Sequence, residues 1–396
     1  MPWTETSPMD ARLIFIAACL RGTDAFSVLC LRQGISRKTG YKWLGRYHEG
    51  GVAGIVDRGS APQTHPRSMD PAIAGAVKAL RKQQPTWGPK KLRVVLARDD
   101  PATPWPATST IGDLLHREGL SKPRTPRRKG QVTATPPSVE PTAANESWAA
   151  DFKGWFRTGD GVRCEPLTVT DGFSRYLLMC EAVPQVTVAR VMPVMTRLFQ
   201  DHGLPRALRT DNGNPFARRD GLGGLSRLSV WLLKLNIWPD PIQPGRPDQN
   251  GRHERMHRVL REDAADPPSA TLAEQQARLD AWRITYNTVR PHEALGQVCP
   301  ATLYIPSPRP FPAHIEAWDY PADHQTRRVI GDGHIRWRDG TVYLSGALRG
   351  ETVGIARRDD GDWAVRFRGF DLTVLTDETG TPRHHRLART PVYNVT

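Results

Sequence analysis

Long apolar runs are missing from this sequence. The longest near the N-terminus, Leu13 to Leu20, is closed by Arg12 and Arg21 and falls far short of the roughly 20 residues a bilayer span needs. No small-x-small cleavage pattern follows it in RGTDAF, so it is expected to be a buried helix and the chain to stay in the cytoplasm, with no membrane partner. Cysteine is scarce and unpaired: Cys19, Cys30, Cys164, Cys180 and Cys299 are odd in number and never form a CxxC, which argues against a disulfide framework or a structural zinc. They are expected to be reduced and mostly packed. No GxxxxGK[ST] loop is present, so no ATP use is expected. Acid is also in short supply. Against 55 Lys and Arg stand 41 Asp and Glu, a formal charge of +14, and that excess of one sign points to a polyanionic partner. A length of 396 residues implies two to three domains at roughly 150 residues each.

What is present begins with short helices. In residues 1–60, Leu13, Ile16, Ala17 and Leu20 have helical spacing, as do Phe26, Leu29 and Cys30. Gly34 and Ile35 break the pattern, and Ser36 can cap a helix from Arg37 to His48 with Tyr41, Leu44 and Tyr47 as its apolar stripe. Helix, tight turn and basic helix is the order in which a helix-turn-helix sets a recognition helix against the major groove, with Arg37, Lys38, Lys42 and Arg46 available to DNA. An ordinary solvated helical hairpin reads the same way, and the basic balance favours the DNA module. A second helical block over 67–120, with Pro71 as a first-turn residue, Trp87-Gly88-Pro89 as a break, and Lys90 and Lys91 opening the next helix, predicts a tandem module. Residues 121–146, carrying Arg124, Arg127, Arg128 and Lys129 and then TATPPSVEPTAAN, are too poor in apolar residues to build a core and read as a basic linker.

From Trp148 the period becomes that of strands. Trp148–Phe156, Arg163–Thr170 and Arg175–Val183 predict a three-stranded antiparallel meander. A helix Val188–His202, a strand Ala207–Thr210, a helix near Ser229–Leu235, a strand Ile237–Ile242 and a helix from about Gln249 follow, which together imply a mixed α/β sheet covered by helices. Thr271 and Glu274 form a capping box for a helix that buries Leu272, Leu279, Trp282 and Tyr286 and ends before Pro291. This block is taken as residues 147–305. Residues 320–380 alternate again, with Asp339-Gly340 and Asp360-Gly361 as turns, and predict a small β-barrel. Trp43, Trp87 and Trp282 are expected to be core anchors.

Three acids carry the chemistry. Asp151 sits inside the first strand of the α/β block, where a carboxylate is unfavourable without a function or a partner. Asp211 ends a short strand, and Glu254 lies on the first turns of a helix that also carries Arg252 and Arg258. Such acids can converge on one sheet edge as a hard-oxygen cage for Mg²⁺ or Mn²⁺. With two ions it would suit an in-line displacement at phosphorus. The spacing alone is weak, because any chain of this length supplies three acids in order. His253-Glu254-Arg255-Met256-His257 also satisfies HExxH, the helical zinc-protease motif, although the arginines around it disfavour a further cation. Asp171 reads as a turn residue. Arg290 and His292, around Pro291, read as helix C-terminal contacts or as contacts to a DNA backbone.

ESWAADFKGWF, LPRALRTDNGNPF, PIQPGRPDQNGRHERMHRVLRED and YNTVRPHEALG occur in this order and closely resemble the DDE transposases of bacterial insertion sequences, in the retroviral-integrase superfamily. ISRKTGYKWLGRY, GVAGIVDRGSAP and WGPKKL resemble the DNA-binding region of the same family. The resemblance spans roughly residues 35–305 and implies a multidomain protein: tandem helix-turn-helix modules, an RNase H-like core, and catalytic, metal-binding acids at Asp151, Asp211 and Glu254. It also implies two Mg²⁺ or Mn²⁺ ions per site, double-stranded DNA as partner (terminal inverted repeats and target), at least a dimer on that DNA, and association with the bacterial nucleoid. Glu254 lies 43 positions beyond Asp211, longer than usual for the family, with the excess placed in ARRDGLGGLSR. A non-catalytic DNA-binding regulator descended from such an enzyme is the alternative, with the zinc protease behind it.

Overall fold

A computed structural model describes residues 7–57, 69–121, 141–211, 213–216, 224–242 and 251–376, with short strands at 382–383 and 388–389. Arg124, Arg127, Arg128 and Lys129 lie outside the described residues, as does most of ARRDGLGGLSR. The chain divides into two units, Met1–Met69 and Asp70–Thr396.

In the first unit, α1 (Pro8–Arg21), α2 (Phe26–Arg32) and α3 (Arg37–Gly54) pack around Phe15, Ile16, Leu29, Cys30, Trp43 and Ile55. Ser7 and Ser36 cap α1 and α3, each hydroxyl accepting from the backbone amide three residues on, at 3.2 and 3.1 Å. Tyr41 departs from its expected place in the buried stripe: it is 61% exposed, stacked on Phe26 with ring centroids 4.2 Å apart. The cause is Gly40. A Cβ there would stand 2.7 Å from Cys30 Sγ, so α2 and α3 approach at Gly40, and the buried face of α3 centres on Gly40 and Trp43.

In the second unit, α4 (Pro71–Gln83), α5 (Pro89–Asp99) and α6 (Thr108–Arg117) bury Val77, Trp87, Leu92, Val95, Ile111, Leu114 and Leu115. Pro71 and Pro89 open their helices, where a missing amide hydrogen costs nothing.

The central sheet comprises β1 (Ser147–Phe152), β2 (Phe156–Arg157), β3 (Arg163–Asp171), β4 (Leu177–Val183), β5 (Ala207–Thr210) and β6 (Trp238–Pro241). β3 pairs antiparallel with β1, β2 and β4, while β1, β5 and β6 run parallel, so the sheet is mixed. The expected first strand is cut short: Gly154, at φ +90°, breaks it into β1 and β2. Even positions of β1, Trp148 and Ala150, pack on α7 (Val188–His202) and α8 (Arg227–Lys234) through Val191, Met195, Phe199, Leu228 and Leu232. On the opposite face lie α9 (Gly251–Leu260), a π-helical turn at Arg261–Ala265, and α10 (Leu272–Thr288), which bury Met256, Leu260, Leu279, Trp282 and Tyr286. Because side chains alternate along a strand, odd positions of β1, Asp151 among them, face the side of α9.

The expected C-terminal barrel is corrected. β7 (Gln325–Arg328), β10 (Thr352–Arg357), β11 (Trp363–Phe367) and β12 (Phe370–Leu375), with the short β13 (Pro382–Arg383) and β14 (Ala388–Arg389) both on β12, form an open antiparallel sheet, and β8 (His334–Trp337) with β9 (Gly340–Tyr343) forms a separate hairpin. Among the described residues no pairing closes the sheet. Its apolar face is covered instead by Ile335, Trp337 and Leu344 from the hairpin segment and by Leu225, Val230 and Leu233 at α8, so it has no need to curl on itself. The ion pair Lys234–Glu351, at 2.8 Å, joins α8 to this sheet.

Candidate active site

β1 and β5 pair in parallel, Ser147 with Ala207, Trp148 with Leu208 and Ala149 with Arg209. Asp151 lies two residues beyond Ala149 and Asp211 two beyond Arg209, so both acids fall at the same end of these two neighbouring strands. Asp211 follows the last residue of β5, and its Oδ1 accepts from the amide of Gly213 at 3.1 Å. A Cβ on Gly213 would lie 2.9 Å from Asp211 Oδ2, so the turn and the carboxylate pack closely here.

α9 is fixed to the row containing Asp151 through His257. Asp151 lies opposite Thr168 on β3. The Thr168 hydroxyl donates to the Asp151 carbonyl at 3.1 Å and shares a 2.8 Å hydrogen bond with His257 Nε2, while His257 Nδ1 is 3.9 Å from Asp151 Oδ2. Burial, helped by neighbouring His253 and Lys153, pushes His257 down to about 3, and burial pushes His253 down to about 4, so both rings are neutral at pH 7. Glu254 sits about 60° round the helix from His257 at 3.6 residues per turn. Its side chain is exposed on the flank of the buried stripe.

Among the described residues no group of three His, Cys, Asp or Glu side chains stands close enough to hold a metal ion. That applies to the three acids and to HExxH alike. In the HExxH motif both histidines turn into the sheet, with ring centroids 5.3 Å apart in a T-shape, and His257 spends Nε2 on Thr168.

The remaining predicted residues are placed as follows. Arg37, Lys38 and Lys42 are exposed on α3. Lys42 and Arg46 each lie 5.0 Å from the centre of the buried Trp43 ring. Lys90 is paired to Glu293 at 2.7 Å. Lys91 is half-buried and pushed down to about 8 by that burial and by Arg290. Arg252 and Arg258 are exposed on α9. Asp171, expected in a turn, is the last residue of β3: fully buried, it accepts from the amides of Asn145 and Ser174 at 2.8 and 2.7 Å and so closes the turn that follows. Arg290 pairs with Asp263 at 3.4 Å, and His292 Nε2 meets the Tyr286 carbonyl at 3.3 Å, so both serve the end of α10. Trp43, Trp87 and Trp282 are buried anchors, and all five cysteines are free, with Cys19 alone less than fully buried.

Sequence reasoning missed how α10 seals the free edge of β4. Asn287 accepts from the Leu177 amide at 2.8 Å and donates to the Leu177 carbonyl at 2.9 Å. Gln276 does the same for Ala182 and Cys180 at 2.7 and 3.0 Å, and Arg283 donates to the Leu178 carbonyl at 2.7 Å. Polar residues at 276, 283 and 287 share one helical face, which was the available signal.

The integrase core domain family matches residues 141–247 and, in a second form, 235–300; a helix-turn-helix family matches 11–62 and a homeodomain-like family 39–115. An uncharacterized 31.7 kDa protein of insertion element IS407 from Burkholderia multivorans is 31% identical over 190 residues, covering 47% of this chain and 65% of that protein. An uncharacterized 39.2 kDa protein of insertion element IS476 from Xanthomonas euvesicatoria is 30% identical over 158 residues, covering 40% of this chain and 43% of that protein. The chain thus spans less than two thirds of the length of these relatives. The HTLV-2 integrase catalytic core domain, solved in complex with magnesium, aligns at 14% identity and a TM-score of 0.32 over 41% of this chain and 97% of that one, a likeness too loose to bear on the site.

Proposed function

We propose, on the premise that the chain belongs with the transposases of bacterial insertion sequences in the integrase-core superfamily, that it binds the terminal inverted repeats of its element, frees their 3′ ends and joins them to target DNA. The observation that supports this reading is the parallel register of β1 and β5, Ala149 opposite Arg209, with Asp151 and Asp211 following at the same end of the two strands. Glu254 is the third acid, on a helix that His257 ties to the row containing Asp151.

Two strand-end carboxylates and a flanking glutamate are hard oxygen donors of the kind Mg²⁺ or Mn²⁺ prefers. Asp151, Asp211 and Glu254, which do not stand together as a ready-made cage, would hold the ions once drawn in around them. When bound, such ions lower the pKa of the attacking hydroxyl and neutralise charge that develops on the phosphorus oxygens. The chain's own contribution is orientation: the paired strands fix two ligands, and α9 brings the third along one side. Exposed cations on α3, together with Arg252 and Arg258, supply charge for DNA phosphates. Since two element ends must be joined to one target, the working form is at least a dimer. Cleavage in trans follows if one protomer's modules hold the end that another cuts.

Asp151→Asn, Asp211→Asn and Glu254→Gln test the assignment. Each should lower both cleavage and strand transfer by about a thousandfold or more while leaving duplex binding intact. Near-native strand transfer by any of the three would sink it. Binding without nicking by the unaltered protein would leave the DNA-binding regulator.

A further inference from the structure

Trp155 is the most exposed tryptophan among the described residues, at 56%, where Trp43, Trp87, Trp148, Trp282 and Trp337 are buried. It lies four residues past Asp151, so at about 3.5 Å per residue its backbone is within about 14 Å of that carboxylate. That is roughly four base steps of a duplex strand.

The segment that displays it is held firmly. β2 pairs with β3, Phe156 opposite Cys164 and Arg157 opposite Arg163. The tip of this hairpin is tied to the loop before α10, where the amides of Gly159 and Asp160 donate to the carbonyls of Ser269 and Ala270 at 2.9 and 2.8 Å. Phe156, next in the chain, packs on the core beneath α9 and α10. A tethered hairpin could bury its tryptophan as it buries Phe156, yet Trp155 faces solvent. Two guanidinium groups attend it: Arg163 at 5.2 Å and Arg157 at 5.8 Å from the ring centre. Arg157 is itself anchored, donating to the Gly161 carbonyl at 2.7 Å, and Arg163 is held by its ion pair with Glu165 at 2.5 Å, which leaves Arg157 the less neutralised of the two.

An exposed aromatic ring flanked by fixed cations is the arrangement on which an unpaired base stacks while its phosphates meet the arginines. We infer that Trp155, with Arg157 and Arg163, is a stacking platform for single-stranded DNA beside the active site, engaging a base that leaves the duplex next to the cleaved strand. A paired base has both faces occupied by its neighbours in the helix, so the platform selects unpaired nucleotides. Trp155 is here a positioning residue. The inference rests on the DNA-processing reading above, with the site's ligand now narrowed to an unstacked nucleotide.

The test uses the full chain with two probes: a 20-nucleotide oligo(dT) carrying one 2-aminopurine, and a 20-base-pair duplex of mixed sequence. Trp155→Ala should weaken oligo(dT) binding about tenfold and abolish the change in 2-aminopurine fluorescence, while duplex affinity moves less than twofold. Trp155→Phe should restore most of the binding, and an unchanged melting temperature in both variants would show that the fold is kept. Arg157→Gln and Arg163→Gln should each flatten the salt dependence of oligo(dT) binding. Equal losses on both probes, or unchanged oligo(dT) binding in Trp155→Ala, would overturn the platform while leaving the catalytic reading standing. Failure of the unaltered chain to bind either probe would overturn both.

Discussion

His257 Nδ1 stands 3.9 Å from Asp151 Oδ2, and the same ring reaches the Thr168 hydroxyl through Nε2 at 2.8 Å. Because burial keeps that ring neutral at pH 7, the approach to Asp151 is not an ion pair. Its effect is geometric: one side chain of α9 meets both members of the Asp151–Thr168 row, and the helix that bears Glu254 is thereby set against the strand that bears Asp151.

Recognition by the N-terminal unit should show as salt dependence. Binding constants for duplex DNA should fall steeply with salt, and replacing Arg37, Lys38 and Lys42 together by Gln should reduce the log–log slope by up to about 2.7, at about 0.9 for each phosphate no longer neutralised. Fluorescence anisotropy across 50–200 mM salt reads the slope. An unchanged slope would remove these residues from the interface.

Sealing of the β4 edge by Asn287 should be worth measurable stability. Asn287→Ala leaves the Leu177 amide and carbonyl buried without partners, at about 1–3 kcal/mol. Urea unfolding followed through the core tryptophans should register the loss. Asn287→Asp, which can still accept from the amide but meets the carbonyl with another acceptor, should be no better than Ala at neutral pH.

His292 should make stability pH-dependent. Burial, reinforced by Arg290, Lys91 and Arg175, pushes it down to about 4, below its ordinary 6.5. As pH falls through 6.5 the unfolded chain takes up a proton that the folded chain refuses, so stability is lost between about 6.5 and 4 and changes little further below that for this group. By pH 5 the loss should be on the order of 1–2 kcal/mol, and His292→Asn should flatten that part of the profile. A profile identical in the variant would show that His292 is not the group responsible.

Much of this fold was legible because local signals agreed with tertiary demand. Val188–His202 ends at Gly203, which adopts φ +75°, and Ala207–Thr210 forms the expected strand. The antiparallel pairing of the first three long strands was also readable from their turns. The barrel was not. Alternation along Thr352–Arg357 and Phe370–Leu375 says that one face is covered and is silent on what covers it, which here is α8 and a hairpin. Tyr41 was misplaced for a related reason: a glycine's role in close packing has no hydrophobic signature, so Gly40 drew no attention. The three acids proposed for the site stand in recognisable motifs, whereas the parallel pairing of β1 with β5 was not legible, since strand register depends on partners distant in sequence. Thr168 and His257 carried no signal beyond an HExxH that pointed to different chemistry.

The most direct test of the central claim is to incubate the full chain with Mg²⁺, a linear DNA ending in the sequences on either side of its gene, and a supercoiled target plasmid, and to sequence the products. The account predicts junctions in which the 3′ ends of the element are joined to target strands, lost on adding EDTA and absent with Asp151→Asn. Absence of any junction from the unaltered protein under conditions where it binds those ends, or junctions that persist in Asp151→Asn, would contradict it.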